Sequence, residues 1–274
     1  MKGLSLAGAG TVVTGGYGKA IESEWLEVGR HTIKLSKVPG QQSLKILHLS
    51  DLHASNMVSL EFIEKAINLG LREKPDLICL TGDYITRKYN DWEGYAGVLS
   101  ALPKAAPTFA TLGNHDGGAW CGIHNGYEDS HNVRNLFDKS GIAHLDNATH
   151  KLELRGWKMN LVGLGDIWEK DFQPRKAFSG CDDASCVTTV LSHNPDTKDD
   201  LRPYKWNLML SGHTHGGQVE LPFFGAPIAP VKDRRFIKGL HQWDNRWLNV
   251  TKGIGNLYGI RINCRPEVSL LTLV

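Results

Sequence analysis

Residues 44–53 have the sequence LKILHLSDLH, a nearly continuous apolar run that ends in an Asp-x-His triplet. A run without regular polar alternation is typical of a strand that is buried on both faces. The arrangement recurs, because an apolar run at 76–81 ends in GD and one at 108–112 ends in GNHD. Apolar residues at helical spacing over 60–71 and 92–102 separate these runs. The alternation predicts an α/β fold with polar groups at the carboxyl ends of its strands.

The other elements are predicted from local patterns. Residues 22–38 alternate as in an N-terminal hairpin or an extended pair of strands. Residues 133–140 predict a short helix that ends at Gly141, and the second expected helix should end at Pro103. Further strands are expected at 151–154, 159–164, 187–191 and 208–211, and in the last part of the chain from Trp247 to Val274.

Polar residues at five strand ends form a set that suits metal ions. The motifs are Asp51-Leu-His53, Gly82-Asp83, Gly113-Asn-His-Asp116, Ser192-His-Asn194 and Gly212-His-Thr-His215. Carboxylate and amide oxygens suit hard divalent cations, and imidazole nitrogens suit Zn, Fe and Mn. A single Asp at a strand end is more simply a turn former or a helix N-cap. That explanation does not cover five strand ends, so the set favours a catalytic pair of metal ions.

The ordered motifs resemble those of the calcineurin-like metallophosphoesterases over roughly residues 44–220. The sequences at 49–53, 192–196, 212–218 and 263–267 further resemble the bacterial phosphodiesterase branch typified by YaeI and YkuE. Some members of the wider branch are UDP-2,3-diacylglucosamine pyrophosphatases of lipid A synthesis. The resemblance implies an α/β fold of four layers, an αββα sandwich of two mixed β-sheets flanked by helices.

The resemblance also implies a dinuclear metal centre. The implied ligands are Asp51, His53 and His215 for one ion, and Asn114, His193 and His213 for the other. Asp83 would bridge both ions, since a carboxylate has two oxygens. The implied cofactors are two divalent metal ions, with Mn expected first and Fe, Zn or Mg as alternatives, because such ligands accept several metals.

Hydrolysis of a phosphodiester is the reaction that follows from this resemblance. Two cations ~3.5–4 Å apart can clamp the phosphate oxygens and acidify a bridging water, and the resulting hydroxide attacks phosphorus in line. The leaving alkoxide needs a proton, and His115 beside Asn114 is the natural catalytic donor. Asp116 either orients His115 or a ligand, or it stabilises the turn.

Composition limits the expected partners. The 274 residues are 41% hydrophobic, and their net charge is only +2, so no nucleic acid partner is expected. The five cysteines contain no CxxC pair, which disfavours a structural zinc knuckle. Cys181 and Cys186 could pair in an oxidising compartment, although the odd count suits free thiols as well.

Residues 2–16, KGLSLAGAGTVVTGG, are rich in glycine and weakly apolar. The segment is too short for a confident membrane span, which needs ~20 residues. It is similar to the continuation of a twin-arginine signal without its Arg-Arg pair, or it is a loosely ordered terminus. We expect residues 1–20 to be the remnant of a signal or membrane-proximal segment, and 21–274 to be a single metallophosphoesterase domain. The protein is then exported or associated with the inner membrane, or otherwise cytoplasmic.

Two features bear on the substrate. The apolar, proline-rich segment 221–231 follows His215 closely. It could receive an acyl chain or make a peripheral membrane contact, or it could pack on the core through Phe223, Phe224 and Ile228. Candidate phosphate clamps are Arg234, Arg235, Arg261 and Arg265. Asp166, at another strand end, could approach the site.

Three functions remain open from the sequence. The first is a metal-dependent phosphodiesterase or pyrophosphatase, acting on a phosphoester such as a nucleotide-linked lipid and converting UDP-2,3-diacylglucosamine to lipid X and UMP. The second is a phosphoesterase for a cell-wall or other small phosphoester. The third is a non-catalytic metal-binding scaffold, which the presence of His115 and of every expected ligand disfavours.

Overall fold

A computed structural model describes residues 21–35, 41–181, 183 and 185–274. The predictions for residues 1–20 lie outside the described residues. Within them, two six-stranded sheets are present. Their strands are β1 Glu27–Ile33, β2 Leu44–Leu49, β3 Leu77–Thr81, β4 Thr108–Thr111, β5 Ala143–His144, β6 Ala148–Leu154, β7 Trp157–Gly163, β8 Val187–Leu191, β9 Leu208–Ser211, β10 Gly239–Trp243, β11 Arg246–Val250 and β12 Glu267–Leu273.

The helices lie between these strands in the sequence. They are α1 Leu60–Leu71, α2 Trp92–Leu99, α3 Ala101–Ala105, α4 Ala119–Ile123, α5 His131–Ser140 and α6 Pro174–Ala177, with 3₁₀ turns at Glu22–Glu24, Pro195–Lys198, His215–Gly217 and Arg234–Phe236. The Ser59 hydroxyl caps α1 by accepting a hydrogen bond from the amide of Phe62 at 3.2 Å. Gly141 ends α5 in the left-handed region, with φ of 76°.

Both sheets are mixed. The first has the order β1-β12-β2-β3-β4-β5, and β2 to β5 run parallel. The second has the order β10-β11-β9-β8-β7-β6, and β7, β8, β9 and β11 run parallel. The carboxyl ends of β2, β3 and β4 therefore meet at one edge of the first sheet, and those of β8 and β9 meet at one edge of the second.

Successive side chains along a strand point alternately into two different cores, as expected for stacked layers. Ile46 faces the second sheet and packs in one buried cluster with Leu161 and Leu210, whereas Leu47 packs with Ile63 and Ile67 of α1 on the outer face. A third cluster covers the outer face of the second sheet with short helical segments and loops. The predicted four-layer sandwich of two mixed sheets flanked by helices is confirmed.

A histidine crosses the space between the sheets. His48 of β2 is fully buried, and its ring nitrogens lie 2.8 Å from the Thr81 hydroxyl and 3.1 Å from the Asn249 side-chain nitrogen. Asn249 belongs to β11 of the second sheet. Burial lowers the pKa of His48 to about 3, so this histidine is a neutral hydrogen-bonding group of the core.

Two local predictions are wrong. The expected hairpin or extended pair of strands over residues 22–38 is, in the described residues 22–35, one strand, β1, which pairs parallel with β12 and brings Glu27 opposite Glu267. The expected helix to Leu102 is divided into α2 and α3, and Pro103 lies inside α3. Proline is tolerated there because the first turn of a helix needs no amide donor at that position.

The structure shows the state of the five cysteines and the lengths of the described helices. Cys181 and Cys186 are free thiols, as are the other three cysteines. Among the helices that the structure describes, none is both long and apolar enough to cross a bilayer.

Candidate active site

The candidate metal ligands meet where the two sheets adjoin. Asp51 and His53 follow β2, Asp83 follows β3, and Asn114 follows β4 of the first sheet. The second sheet supplies the others from the ends of β8 and β9, namely His193, His213 and His215. All seven side chains are buried, and each sheet contributes to the same cluster.

Ligand-type atoms in this cluster form two groups. Asp51, His53, Asp83 and His215 form one group, and Asp83, His193 and His213 form the other, with the atoms of each within 4.8 Å of one another. The Nε2 atoms of His53 and His215 are 3.0 Å apart. The His213 Nδ1 atom is 3.2 Å from the His193 Nε2 atom. Two such groups with a shared carboxylate could hold two metal ions.

Asp83 is the residue that the two groups share. Its Oδ2 atom is 3.4 Å from the Nε2 atom of His53 and 3.1 Å from the Nε2 atom of His193. Its Oδ1 atom accepts a hydrogen bond from the His115 amide at 2.9 Å. One carboxylate oxygen therefore faces both groups, while the other oxygen fixes the orientation of the carboxylate.

Three buried polar atoms of the cluster have no hydrogen-bond partner among the described residues. They are Oδ1 of Asn114, Nε2 of His213 and Nδ1 of His215. Buried polar atoms are nearly always satisfied, so unsatisfied ones need a reason. Amide oxygen is a metal-ligand atom. The unpaired Oδ1 of Asn114, together with the imidazole nitrogens and carboxylate oxygens of the two groups, therefore gives a donor set that fits divalent cations.

Hydrogen bonds behind the ligands fix the orientation of two imidazoles. His193 Nδ1 donates to the Thr81 carbonyl at 2.7 Å, which leaves Nε2 directed at Asp83. The Thr86 hydroxyl lies 3.3 Å from His53 Nδ1. A histidine that binds a metal usually has such a partner on its other ring nitrogen, because the hydrogen bond sets the tautomer.

Strained backbone positions are concentrated in this cluster. Asp51, His53, Asp83, His213 and His215 all have positive φ, between 50° and 69°. For a residue other than glycine, such a conformation is unfavourable by an amount of order 1–3 kcal/mol, and it persists only where the surrounding structure enforces it. The strain at five neighbouring candidate ligands is typical of a functional site.

Glycines before the ligands allow close approach. A Cβ atom on Gly113 would lie 2.3 Å from Oδ1 of Asp83, and one on Gly212 would lie 2.1 Å from Oδ2 of Asp51. The motif glycines are therefore needed because a ligand carboxylate occupies the space that a side chain would take.

Asp116 stabilises the turns that carry the ligands. Its buried carboxylate accepts hydrogen bonds from the amides of Asp83 at 2.8 Å, Tyr84 at 2.6 Å and Gly113 at 2.8 Å. Of the two roles that the sequence left open, the structure supports the turn-stabilising one. Burial, followed by the charge of Asp83, raises the pKa of Asp116 above its usual range.

His115 lies beside the cluster and lines the pocket above it. Its ring is 5.0 Å from the ring of His53, and its Nδ1 atom donates to the Thr86 carbonyl at 2.8 Å. The side chain is partly buried. This hydrogen bond leaves Nε2 as the atom that can exchange a proton with a bound molecule.

The buried carboxylates and imidazoles of the cluster shift one another's pKa values. Burial disfavours ionisation of Asp83, but the imidazoles around it, His193 first, hold its pKa well below the usual range. Burial likewise opposes the charge on His193, but Asp83 outweighs burial and raises the pKa of His193. His193 would therefore release a proton when it binds a cation. Burial lowers the pKa of His213 and His215 well below the usual value, which keeps them in the neutral form that binds metals.

Asp166 lies at the border of the site. Its Oδ1 atom accepts hydrogen bonds from the amides of Trp168 at 2.7 Å and Glu169 at 3.2 Å. Its Oδ2 atom is buried and has no partner among the described residues. Burial raises the pKa of Asp166 to about 6, although the positive charge of nearby His193 lowers it.

The arginines that the sequence suggested as phosphate clamps are engaged elsewhere. Arg261 is buried and donates to the carbonyls of Lys252, Gly253, Gly255 and Cys264. Arg265 donates to the carbonyls of Trp25 and Leu26, Arg235 pairs with Asp233, and Arg234 donates to the Ala226 carbonyl.

The cations that do line the pocket were missed by the sequence reasoning. They are the exposed side chains of Arg87 and Lys88, which immediately follow Thr86. Thr86 contacts both His53 and His115. Proximity in the sequence to the Gly82-Asp83 motif was the signal that could have identified them.

The pocket above the cluster has a volume of about 1570 Å³. The segment 227–230 forms part of its wall. Phe223, Phe224 and Ile228 are 105%, 82% and 65% exposed, so the idea that they pack on the core is wrong. The segment 221–231 is therefore an exposed apolar loop, and it lies beside the mouth of a polar site.

Two sheets with a shared carboxylate at their common edge define a metallophosphoesterase fold and site. The family model for calcineurin-like phosphoesterases matches residues 44–217. The phosphodiesterase YaeI of Escherichia coli is 41% identical over 272 residues, which cover 98% of this chain and 97% of YaeI. The chain therefore belongs to the calcineurin-like phosphoesterase family, and it is a phosphoester hydrolase.

A more distant relative and a solved structure agree with this placement. The UDP-2,3-diacylglucosamine pyrophosphatase LpxG of Chlamydia muridarum is 26% identical over 309 residues, covering 96% of this chain and 94% of LpxG. The sulfate thiohydrolase SoxB of Thermus thermophilus matches with a TM-score of 0.50 at 12% identity, covering 87% of this chain and 58% of SoxB. The likeness to SoxB concerns the fold alone.

Proposed function

We propose that this protein is a phosphodiesterase with a dinuclear metal centre. Asp51, His53 and His215 would hold one divalent cation, Asn114, His193 and His213 would hold the other, and Asp83 would contribute to both sites. The observation that carries this assignment is Oδ2 of Asp83, which lies 3.4 Å from His53 Nε2 and 3.1 Å from His193 Nε2. Mn is the first candidate metal, and Fe, Zn and Mg are alternatives because the donor set accepts them.

The side chains divide the chemistry between them. The bound cations supply Lewis acidity toward the phosphate and lower the pKa of water. Asp83 and the imidazoles would hold those cations next to His115, whose ring lies 5.0 Å from the His53 ring. His115 keeps Nδ1 on the Thr86 carbonyl at 2.8 Å and uses Nε2 to protonate the leaving oxygen.

The proposed substrate is a nucleotide-linked lipid, with UDP-2,3-diacylglucosamine as the specific candidate and lipid X and UMP as its products in lipid A synthesis. Three features support an amphipathic substrate. The pocket of about 1570 Å³ is large, Arg87 and Lys88 offer positive charge, and the exposed apolar loop lies at the mouth. LpxG, a relative, is a pyrophosphatase for this compound.

The substrate assignment predicts release of UMP from UDP-2,3-diacylglucosamine by the purified, Mn²⁺-loaded protein. We expect turnover in a mixed-micelle assay with product analysis by mass spectrometry, and little turnover of the non-lipid analogue UDP-N-acetylglucosamine. Hydrolysis of bis-p-nitrophenyl phosphate without any release of UMP would contradict the lipid assignment. It would favour the alternative, a cell-wall or other small phosphoester.

The exposed loop also supports peripheral contact with a membrane. We expect the double variant Phe223→Ser and Phe224→Ser to lose binding to lipid vesicles, since it removes two apolar side chains that are 105% and 82% exposed. Vesicle sedimentation measures the loss. Ile21→Ser is the matched control, because Ile21 is exposed outside this loop. Equal sedimentation of the wild type and the double variant would contradict the contact.

The location of the protein and its domain limits remain predictions. Export by a twin-arginine-type signal, or attachment to the inner membrane, would suit a lipid substrate. Mass spectrometry of the native N-terminus would test export, because a mature chain that begins at Met1 would contradict it. The single domain over residues 21–274 also stays a prediction.

A further inference from the structure

Two tryptophans line the pocket next to the reacting groups. The Trp168 ring stands edge-on to the His213 ring, with centroids 4.3 Å apart and an interplanar angle of 89°. The Trp120 ring is 5.1 Å from the His115 ring and 5.2 Å from the Trp168 ring. His124 stacks on Trp120 at 4.1 Å. We call Trp120, His124 and Trp168 the aromatic wall.

Acidic side chains hold the aromatic wall in place. The Glu169 carboxylate accepts hydrogen bonds from the amides of Trp120 at 2.9 Å and Cys121 at 2.8 Å, which joins α4 to the loop that carries Trp168. Asp166 accepts from the Trp168 amide at 2.7 Å. The wall is therefore positioned before a ligand binds, which limits the entropy lost on binding.

Exposure distinguishes Trp168 from the tryptophans of the core. Trp168 is 36% exposed, whereas Trp157 and Trp206 are 0% and 4% exposed. A large apolar ring left open inside a pocket indicates a binding surface. An indole has a flat π-face that stacks on planar rings with little loss of side-chain freedom.

The rest of the pocket is lined by a different kind of surface. Met57, Leu257, Tyr258 and the segment 227–230 form an apolar wall. Leu257 donates its amide to the Gln218 side chain at 3.0 Å, close after His215 in the sequence. The apolar wall thus adjoins the Asp51–His215 group, while the aromatic wall adjoins His213 and His115.

We propose that the aromatic wall is the subsite for the planar base of a nucleotide, with the phosphate of that nucleotide at the candidate metal centre around Asp83 and the aliphatic part of the substrate against the apolar wall. This inference rests on the proposed phosphodiesterase function and specifies which end of the bound substrate lies against which wall of the pocket. It assigns Trp168 as a specificity-determining residue that contacts the base.

Two esters with the same leaving group test the subsite. They are the p-nitrophenyl ester of thymidine 5′-monophosphate, which has a base, and methyl p-nitrophenyl phosphate, which has none. We expect Trp168→Leu to raise KM for the thymidine ester about tenfold, in line with the loss of one base–aromatic stack, with kcat unchanged. Its kcat/KM for the methyl ester should fall much less than its kcat/KM for the thymidine ester, and Trp168→Phe should restore much of the KM. An equal loss on both esters would overturn the subsite.

Binding measurements separate this inference from the proposed function. Calorimetry with UMP and with ribose 5-phosphate needs no turnover. We expect wild type to bind UMP more tightly than ribose 5-phosphate, and Trp168→Leu to remove that difference. Trp25→Leu is the matched control, since Trp25 is also exposed but packs on Arg265. If wild type hydrolyses neither ester, the proposed function fails. If UMP and ribose 5-phosphate bind equally to wild type, the subsite fails.

Discussion

Asp83→Asn is expected to lower kcat/KM for bis-p-nitrophenyl phosphate on the order of a thousandfold, more than the ~10–100-fold typical of a residue that only supports a ligand. The reason is that Oδ2 of Asp83 faces His53 and His193 at 3.4 and 3.1 Å. An amide cannot neutralise two cations, so metal occupancy should fall with activity. Kinetics with added Mn²⁺ and metal analysis of the purified variant measure both effects.

Two comparisons make this result specific. Asp138→Asn changes an exposed carboxylate on α5 and should leave activity and metal content unchanged. Wild type treated with a chelator should match the variant, and added Mn²⁺ should restore only the wild type. An Asp83→Asn variant that binds two equivalents of metal and turns over at the wild-type rate would refute the bridging role.

His115→Ala is expected to slow hydrolysis according to the leaving group. For a diester with an alkyl leaving group we expect a loss of ~10²–10⁴ in kcat, the range typical of a general acid. For bis-p-nitrophenyl phosphate the loss should be much smaller, because p-nitrophenolate leaves without protonation. The measurement is a series of diesters with leaving groups of increasing pKa.

Two measurements distinguish the loss of proton transfer from general damage to the site. They are the metal content of the variant and the dependence of its rate on the pKa of the leaving group. The variant should keep its metals, since the His115 side chain bonds to the Thr86 carbonyl and not to a candidate ligand. His131→Ala is the control, because it removes an exposed imidazole of α5 that does not line the pocket. An equal fall in rate for every leaving group would mean that His115 acts on the nucleophile or on binding.

The candidate site could be predicted from the sequence because each motif follows its own strand. Parallel strands bring their carboxyl ends to one edge, so Asp83 and Asn114 had to lie near each other once the strands were recognised. Local sequence patterns did not show that the Asp83 carboxylate faces both groups of candidate ligands. That orientation depends on the second sheet, which places His193 and His213 against residues more than a hundred positions earlier.

Three of the failed predictions depended on distant partners. The alternation before residue 38 identified a strand, but its partner β12 lies at the other end of the chain, and no local pattern shows that. Arg261 has the chemistry of a phosphate clamp, but its guanidinium is surrounded by backbone carbonyls that tertiary folding brings to it. Phe224 is as apolar as any core residue, and only the fold shows that it is exposed.

The division of the ligands between two sheets makes the packing between those sheets part of the chemistry. Asp83 belongs to one sheet and His193 to the other, and the distance between them is set by how thick the intervening layer of side chains is. Protein interiors are close-packed and have low compressibility, so this layer of side chains keeps the two sheets at a nearly fixed distance. The His48–Asn249 hydrogen bond also links the two sheets directly across this layer. Residues of this layer such as Ile46 and Leu210 therefore help to set the separation between the candidate ligands of the two sheets.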